Sequence, residues 1–439
     1  VEGRGSEVGL IYMGDEIPEN MPADIVVKVK GRFDIMGNEK EPIDREEIRA
    51  GLETMKGKVK AVAVSGYASV RNPKHEQEAA ELAREILDVP VVCAHQLTSA
   101  LGFDHRTITA VLNGRLIPVI SELFGAIRSM LESKTINAPV MIVKGDGTLM
   151  TEEEARKRPV DTILSGPAAS VTGGLALTGY KSGLVYDMGG TTSDLAEIEK
   201  GLVRIKEEGA KVGGWHTRVR AAEISTYGLG GDSKLHLDRK GSVIVTTERV
   251  VPLCVAGYHY PHLIRELHSF RRMGEIKKYP KNEADCYILS ADYDKLPEET
   301  KNGDFAKALK ALEQAPHSAF YLAEVCGMDP EKLNLDRLVE KGILTRAALT
   351  PTDILHVDGT YVRWDKDISY KGVELIGRRA GMSISTFVNE ARAAIRKRIA
   401  MIIIQSTADM DGSEITYSES REAMNLIDLA LGVKKSGLI

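Results

Sequence analysis

Cysteine is scarce. Only Cys93, Cys254, Cys286 and Cys326 occur in 439 residues. No two of them form a Cys-x-x-Cys pair, which leaves zinc ribbons and thioredoxin-like redox motifs nothing to build on. Their scatter suits reduced, mostly buried thiols in a cytoplasmic protein. A basic excess is missing as well. Lys and Arg number 58 against 63 Asp and Glu, a formal net charge of −5, so no nucleic-acid partner is expected. Long apolar runs are also absent. The stretch 399–404 falls far short of the ~20 residues that cross a bilayer, residues 1–5 do not read as a signal peptide, and no membrane association is expected. Four catalytic signatures have no match: Gly-x-Ser-x-Gly, His-Glu-x-x-His, Gly-x-x-x-x-Gly-Lys-Ser/Thr and the dinucleotide fingerprint. Serine hydrolases, zinc proteases, P-loop NTPases and Rossmann oxidoreductases therefore lose support.

What remains is ordinary globular composition. Apolar residues make up 43% and charged residues 28%, which argues against disorder, collagen and coiled coil. At ~100–200 residues per domain the chain holds two or three domains. Residues 8–13, 24–29, 60–65 and 90–94 read as strands. Residues 44–56 and 74–88 read as helices, the latter with Ala79, Leu82, Ala83, Ile86 and Leu87 on one face. This alternation predicts an α/β domain with a mainly parallel sheet. A long helical stretch over 107–132 is expected to break or bend at Pro118. Thr151-Glu152-Glu153-Glu154 forms a capping box, and a small-residue helix follows over 168–177. Residues 183–198 predict two strands around a Gly-Gly turn. The pattern is irregular over 204–250, mostly helical and polar over 260–350, and helical again over 383–405 and 418–431.

The segment Asp187-Met188-Gly189-Gly190-Thr191-Thr192-Ser193-Asp194 carries the sharpest chemistry. A strand delivers Asp187 to a turn. Gly189 and Gly190 lack Cβ atoms, so backbone N–H groups can approach an anion closely. Thr191 and Thr192 add hydroxyl donors, and Asp187 is placed to hold Mg²⁺ through water. The plain alternative is a β-hairpin with a Gly-Gly turn. The acidic flanks and paired threonines favour phosphate binding.

These residues resemble the second phosphate loop of the hydantoinase A/5-oxoprolinase family, within the actin-like ATPase superfamily. Asn72-Pro73-Lys74-His75-Glu76, Val111-Leu112-Asn113, Gly147-Thr148-Leu149-Met150-Thr151, Pro159-Val160 and Leu164-Ser165-Gly166-Pro167-Ala168-Ala169 follow in the family's order. Residues 1–235 carry the resemblance well and the remainder weakly. A first Asp-x-Gly-Gly-Thr loop and a C-terminal adenosine-binding Gly-Gly segment have no counterpart here, so both ends of a parent polypeptide, or a companion chain, are expected to supply them.

The resemblance implies a ribonuclease H-like, actin-like ATPase α/β architecture with a mostly helical insertion, its two domains flanking a nucleotide cleft. The expected division is 1–178 for the rest of the first domain, 179–257 for the phosphate hairpin and Gly-rich part of the second, 258–350 for the insertion and 351–439 for a helical return. It also implies ATP and Mg²⁺ as cofactors. The expected activity is ATP-dependent activation and hydrolysis of a cyclic amide such as hydantoin, oxoproline or a related lactam. A hydantoinase B-type subunit or a homo-oligomer is the implied partner. An ATP-dependent ketone carboxylase subunit, a non-metabolic actin-like ATPase that activates a partner protein, and a small-molecule kinase stand as alternatives. On this reading Asp187 orients Mg²⁺ and water. Gly189, Gly190, Thr191 and Thr192 grip phosphate, and Asp194 braces the hairpin.

Gly230 and Gly231, in Tyr227-Gly228-Leu229-Gly230-Gly231-Asp232-Ser233, resemble a second family loop. Asp232 stands where the family often has Gly, and Ser225 where it often has His. The loop is either a nucleotide edge or a structural crossover. Glu223 is a metal or surface carboxylate. In Thr350 to Gly359, a threonine caps a helix, and His356 reads as a packed histidine before a functional one. His259, His262 and His268 cluster in sequence, but Pro261 interrupts the spacing a metal site would use. Arg218, Arg220, Arg265, Arg271 and Arg272, and the helical Arg396, Lys397 and Arg398, read as solvated surface.

Overall fold

The computed structural model of the chain describes residues 5–206, 208–269, 282–410, 416 and 420–430. Arg271, Arg272 and both ends of the helix expected over 418–431 lie outside them. The chain divides into two units, Val1–Val185 with Ala196–Ile224, and Tyr186–Leu195 with Ser225–Ile439.

In the first unit, strands Val8–Met13 and Ala61–Gly66 are buried at every position. Runs without polar alternation are what a sheet covered on both faces requires. The strand order is Ile25–Lys28, Val8–Met13, Ala61–Gly66, Val91–Cys93, and every pairing is parallel. Alternate side chains divide the core. Ile11 and Met13 meet helices Arg45–Met55 and Lys74–Ile86 on one face. Val8, Leu10 and Tyr12 meet Ala110 and Val111 of helix Phe103–Ser133 on the other. Asp44 starts the first of these helices by accepting the Glu46 and Glu47 amides, each at 3.1 Å.

Phe103–Ser133 runs through Pro118 as one helix of 31 residues. Its first half, Arg106 to Leu116, is almost wholly buried. Packing on the strands outweighs the ~3 kcal/mol that an interior proline costs. By length and composition this helix is apolar enough to cross a membrane, but its contacts with strands Val8–Met13 and Ala61–Gly66 are those of a core helix. Buried Asn113 ties it to the next segment. Its side-chain amide donates to Lys157 O at 3.0 Å and its oxygen accepts Val160 N–H at 3.1 Å. The capping box at Thr151 and Glu154 is formed in full, and the small-residue helix spans Ser165–Thr178.

Strand Ser193–Glu199 pairs with Gly183–Met188, Leu202–Val203 and Ile224–Tyr227. The irregular stretch after it resolves into short antiparallel pairs, Ile205–Lys206 with Ala221–Ala222 and Lys211–Val212 with Trp215–His216.

The second unit holds the hairpin of Ser233–Leu237 and Val243–Arg249. It also holds a sheet in the order Val251–Pro252, Leu344–Ala348, Cys286–Leu289, His317–Ser318. Residues 258–350, read as mostly helical, thus carry three strands beside their helices among the described residues. Strands of two to five residues are too short to impose a period on the sequence. Helices Pro351–Asp358, Lys366–Arg379 and Ile384–Met410 complete the unit around Leu253, Ile354, Ile368 and Phe387.

Candidate functional site: the glycine hairpin and its cavity

Strands Gly183–Met188 and Ser193–Glu199 are joined by only four residues, a connection that antiparallel strands allow. Gly189 N–H closes the turn on Thr192 O at 2.9 Å. The second glycine loop lies against this tip. Gly231 N–H donates to Gly189 O at 2.9 Å, and Asp232 N–H donates to Gly190 O at 2.7 Å. A trans peptide points its C=O and N–H in opposite directions, and there are no cis peptides among the described residues. Drawing both glycine carbonyls into the second loop therefore turns the N–H groups of Gly190 and Thr191 away from it. The N–H groups of Gly190, Thr191 and Thr192 have no acceptor among the described residues. Gly190 and Thr191 are exposed and Thr192 is half-buried. Successive unpaired amides of this kind form an anion-binding nest.

Side chains fix the tip from beneath. Tyr186 OH donates to Ser193 Oγ at 2.8 Å, and Ser193 Oγ–H donates to Leu229 O at 2.7 Å. Burial raises the Tyr186 hydroxyl pKa, with Ser193 and Arg398 opposing. Gly230 N–H donates to Ser233 Oγ at 3.0 Å. Asp194 accepts Thr226 Oγ1–H at 2.7 Å, a strand-to-strand tie. Asp187 is half-buried, and its carboxylate has no hydrogen-bond donor among the described residues. A carboxylate with free lone pairs next to unpaired amides fits a hydrated Mg²⁺ beside phosphate.

A cavity of about 1330 Å³ opens at this tip within the second unit, and Gly189, Gly190, Gly231 and Asp232 are among its lining residues. Asp187, Thr191, Thr192, Asp194 and Gly230 are not. The far wall is mixed apolar and cationic, with Val255, Leu355, Tyr361 and Trp364 beside Arg249, Arg392 and Arg396. Arg396, read as solvated surface, is exposed yet faces this cavity. Neighbouring Lys397 is paired with Asp428 at 2.6 Å. Burial raises the Asp232 carboxyl pKa, Arg249 lowers it and Asp353 adds to the rise.

The wall is held by helix Pro351–Asp358. Thr350 and Asp353 form its capping box. The fully buried Asp353 carboxylate also accepts Leu253 N–H at 3.1 Å, Cys254 N–H at 2.7 Å and Ser369 Oγ–H at 2.6 Å. Thr352 reaches back to the glycine loop, its N–H and Oγ1–H both donating to Gly231 O. His356 is buried and structural. Its Nδ1–H donates to Thr352 O at 2.8 Å, and Nε2 accepts the amides of Arg363 at 3.2 Å and Trp364 at 3.1 Å. That pattern fixes the neutral Nδ1–H tautomer and holds the imidazole stacked on Trp364, centroids 5.6 Å apart.

Other residues singled out in the sequence lie elsewhere. Glu223 pairs with Arg204 at 3.0 Å in the first unit. His259, His268 and Arg265 are exposed. His262 does not gather with His259 and His268 but with Glu266 and His317. The four cysteines are free, and Cys93, Cys254 and Cys286 are buried. The sequence reading missed Tyr361, Trp364, Arg249 and Arg392. Trp364, one of only two tryptophans in the chain, was the available signal.

Two family models match this chain. The hydantoinase/oxoprolinase N-terminal region matches residues 4–87 and the hydantoinase/oxoprolinase model matches residues 106–251, together more than half of the sequence. The chain is 31% identical over 230 residues to the caprolactamase subunit alpha of Pseudomonas jessenii, covering 51% of this chain and 33% of that protein. It is 30% identical over 230 residues to the acetophenone carboxylase gamma subunit of Aromatoleum aromaticum, covering 50% and 31%. The chain thus spans about a third of the length of these curated relatives. Among solved structures, nucleotide-free acetone carboxylase, studied for ATP-dependent acetone carboxylation, superposes with a TM-score of 0.54 at 15% identity, covering 93% of this chain and 52% of that one. That likeness bears on fold alone, a mixed α/β architecture.

Proposed function

Because the chain belongs to the hydantoinase/oxoprolinase family, we propose that it is the ATP-handling part of an enzyme that activates a cyclic amide for hydrolysis. The observation that carries the reading is the run of unpaired amides at Gly190, Thr191 and Thr192. They supply donors for a phosphate. Asp187 would hold Mg²⁺, which would offset phosphate charge. The cavity behind Gly189 and Gly190 accepts the rest of the nucleotide, with Tyr361 and Trp364 offering aromatic faces to a base. Phosphoryl transfer depends on positioning and charge stabilisation more than on a protein nucleophile, so a site built from backbone donors and one carboxylate is sufficient. Transfer of the γ-phosphoryl group of ATP to the amide oxygen, with the β–γ bond broken and ADP released, turns a poorly reactive carbonyl into one with a good leaving group. A hydantoinase B-type subunit or a second copy of this chain completes the hydrolysis, in the reducing cytoplasm that four free cysteines suit.

The relative named for acetophenone carboxylation favours a second reading, in which the activated oxygen belongs to a ketone and carboxylation follows. ATP turnover by the full-length protein, with its partner subunit, separates the two. Stimulation by hydantoin, oxoproline or a larger lactam supports the cyclic amide. Stimulation only by a ketone with bicarbonate moves the assignment to carboxylation. Stimulation only by a partner protein makes the chain an activator ATPase, and a stable phosphorylated small molecule makes it a kinase. Asp187→Ala abolishes turnover and preserves the fold; unchanged turnover eliminates the role of Asp187. ATP binding is read from Trp364 emission in a Trp215→Phe background, since these are the two tryptophans.

A further inference from the structure

Among the described residues, two groups of metal-ligating side chains converge away from the glycine hairpin. They are Glu76, Cys93 and His95 in the first unit, and His262, Glu266 and His317 in the second, each with its ligand atoms within 4.8 Å of one another. The two differ in what they leave for a ligand.

The first group is already committed. Glu76 Oε1 accepts Gly66 N–H at 2.8 Å, and Oε2 accepts both the backbone N–H of His95 at 2.9 Å and its Nδ1 at 2.5 Å. Burial pushes the Cys93 thiol up to about 12, so it supplies no thiolate near neutrality.

The second group is tied by fewer hydrogen bonds and includes no thiol. His262 and Glu266 are four residues apart on helix His262–Ser269, hence on one face. His317 comes from the strand His317–Ser318. His262 Nε2 lies 2.7 Å from Pro316 O. A carbonyl only accepts, so Nε2 carries the proton and Nδ1 keeps its lone pair. Metal-binding histidines are commonly oriented by donating the other ring N–H to a backbone carbonyl in this way. His262 Nδ1 has no partner among the described residues, and His317 Nδ1 faces Glu266 Oε1, so an ion entering between His262, Glu266 and His317 would displace the proton those two share and leave His317 Nε2 to carry the ring N–H. The His317 ring is fixed by stacking on Tyr321, centroids 4.1 Å apart. Glu266 accepts His317 Nδ1 on Oε1 and Ser318 N–H on Oε2, each at 2.7 Å, leaving further lone pairs on both oxygens. Burial raises its carboxyl, but the hydrogen bonds from His317 and Ser318 outweigh that and hold it below the usual glutamate value. All three residues are half-buried, shielded yet reachable by an ion.

We propose that His262, Glu266 and His317 form a binding site for a divalent first-row cation, Zn²⁺ foremost, that clamps the helix His262–Ser269 to the strand His317–Ser318. Two imidazoles and one carboxylate are a donor set that zinc accepts, with a further position left for water. Mg²⁺ and Ca²⁺ prefer all-oxygen surroundings. The site lies apart from the Asp187 hairpin and does not depend on any reading of it.

The test uses the full chain, stripped with chelator and titrated with Zn²⁺ by calorimetry while melting is followed. One ion per chain is expected, together with a rise in melting temperature. His262→Ala and His317→Ala should each weaken binding more than tenfold and abolish the rise, while His216→Ala, an exposed histidine in the first unit, should change neither. Wild-type protein that takes up no Zn²⁺, or wild-type affinity in both variants, overturns the proposal. If the variants fail to fold, Co²⁺ loaded into the wild-type chain decides. Intense visible bands of a four-coordinate nitrogen and oxygen site support the assignment, and the weak bands of six-coordinate surface cobalt overturn it.

Discussion

Gly230 lies backbone to backbone on Gly190, so close that a Cβ on Gly230 would sit 2.2 Å from the Gly190 carbonyl oxygen and 2.7 Å from Thr191 N. Its backbone needs no left-handed conformation; proximity alone demands glycine. Gly230→Ala therefore forces the two loops apart, at about 1–3 kcal/mol for overpacking. Parting them releases the carbonyls that orient the open amides, so ATP affinity should fall more than tenfold. Gly228→Ala is the control, because its nearest neighbour would be Thr247 Cβ at 3.7 Å. Melting and nucleotide titration check both. A Gly230→Ala protein that melts and binds like wild type refutes the interlock.

His356→Ala removes the acceptor for two backbone amides, those of Arg363 and Trp364. Arg363 is exposed and Trp364 half-buried, so water can partly satisfy the released amides and stability should fall by about 0.5–1.5 kcal/mol per lost hydrogen bond. In a Trp215→Phe background the remaining emission comes from Trp364 and should shift to the red as its segment loosens. Unaltered emission would mean that His356 does not hold the cavity wall.

The Asp232 carboxylate crowds the hairpin tip, with Oδ2 2.9 Å from where a Cβ of Gly190 would be. A carboxyl raised by burial is uncharged over part of the acidic range above 3.8, and its repulsion of a bound phosphate then disappears. ATP affinity should strengthen as pH falls through that range. Asp232→Asn should bind more tightly at neutral pH and show a flatter profile. Parallel profiles for parent and variant would exclude Asp232 as the source.

Glu283 supplies a stability test. Burial drives its carboxyl up to about 8, with the Arg379 guanidinium 3.6 Å away offsetting this only in part. The folded chain thus holds a proton that the unfolded chain has released between about 4.5 and about 8. Stability from this group falls as pH climbs through that window. Glu283→Gln should narrow the loss, gaining melting temperature over the parent at pH 8 relative to pH 5. An identical pH dependence in both would show that Glu283 ionises normally.

The parallel sheet was legible because strands such as Val8–Met13 are unbroken apolar runs, and the helices between them carry caps and one-sided apolar spacing. The hairpin was legible because acid, paired glycine and paired threonine stand together. An interruption at Pro118 did not form, since local cost says nothing of the sheet that helix Phe103–Ser133 packs on. The strands within 258–350 were hidden by their brevity. The cavity wall was hidden for a different reason. Arg249, Tyr361, Trp364 and Arg392 are over a hundred residues apart at the extremes and meet only through tertiary folding, so no local spacing announces them.

The division of the chain has a practical corollary for anyone wishing to dissect it. Residues 186–195 belong with the C-terminal unit but are flanked on both sides by sequence belonging to the other. No single cleavage yields two self-sufficient halves: a break after Val185 strips the N-terminal portion of residues 196–224, and one after Ile224 takes the glycine turn away from the body that shapes it. Excision would require either a circularly rearranged gene or two fragments expressed together.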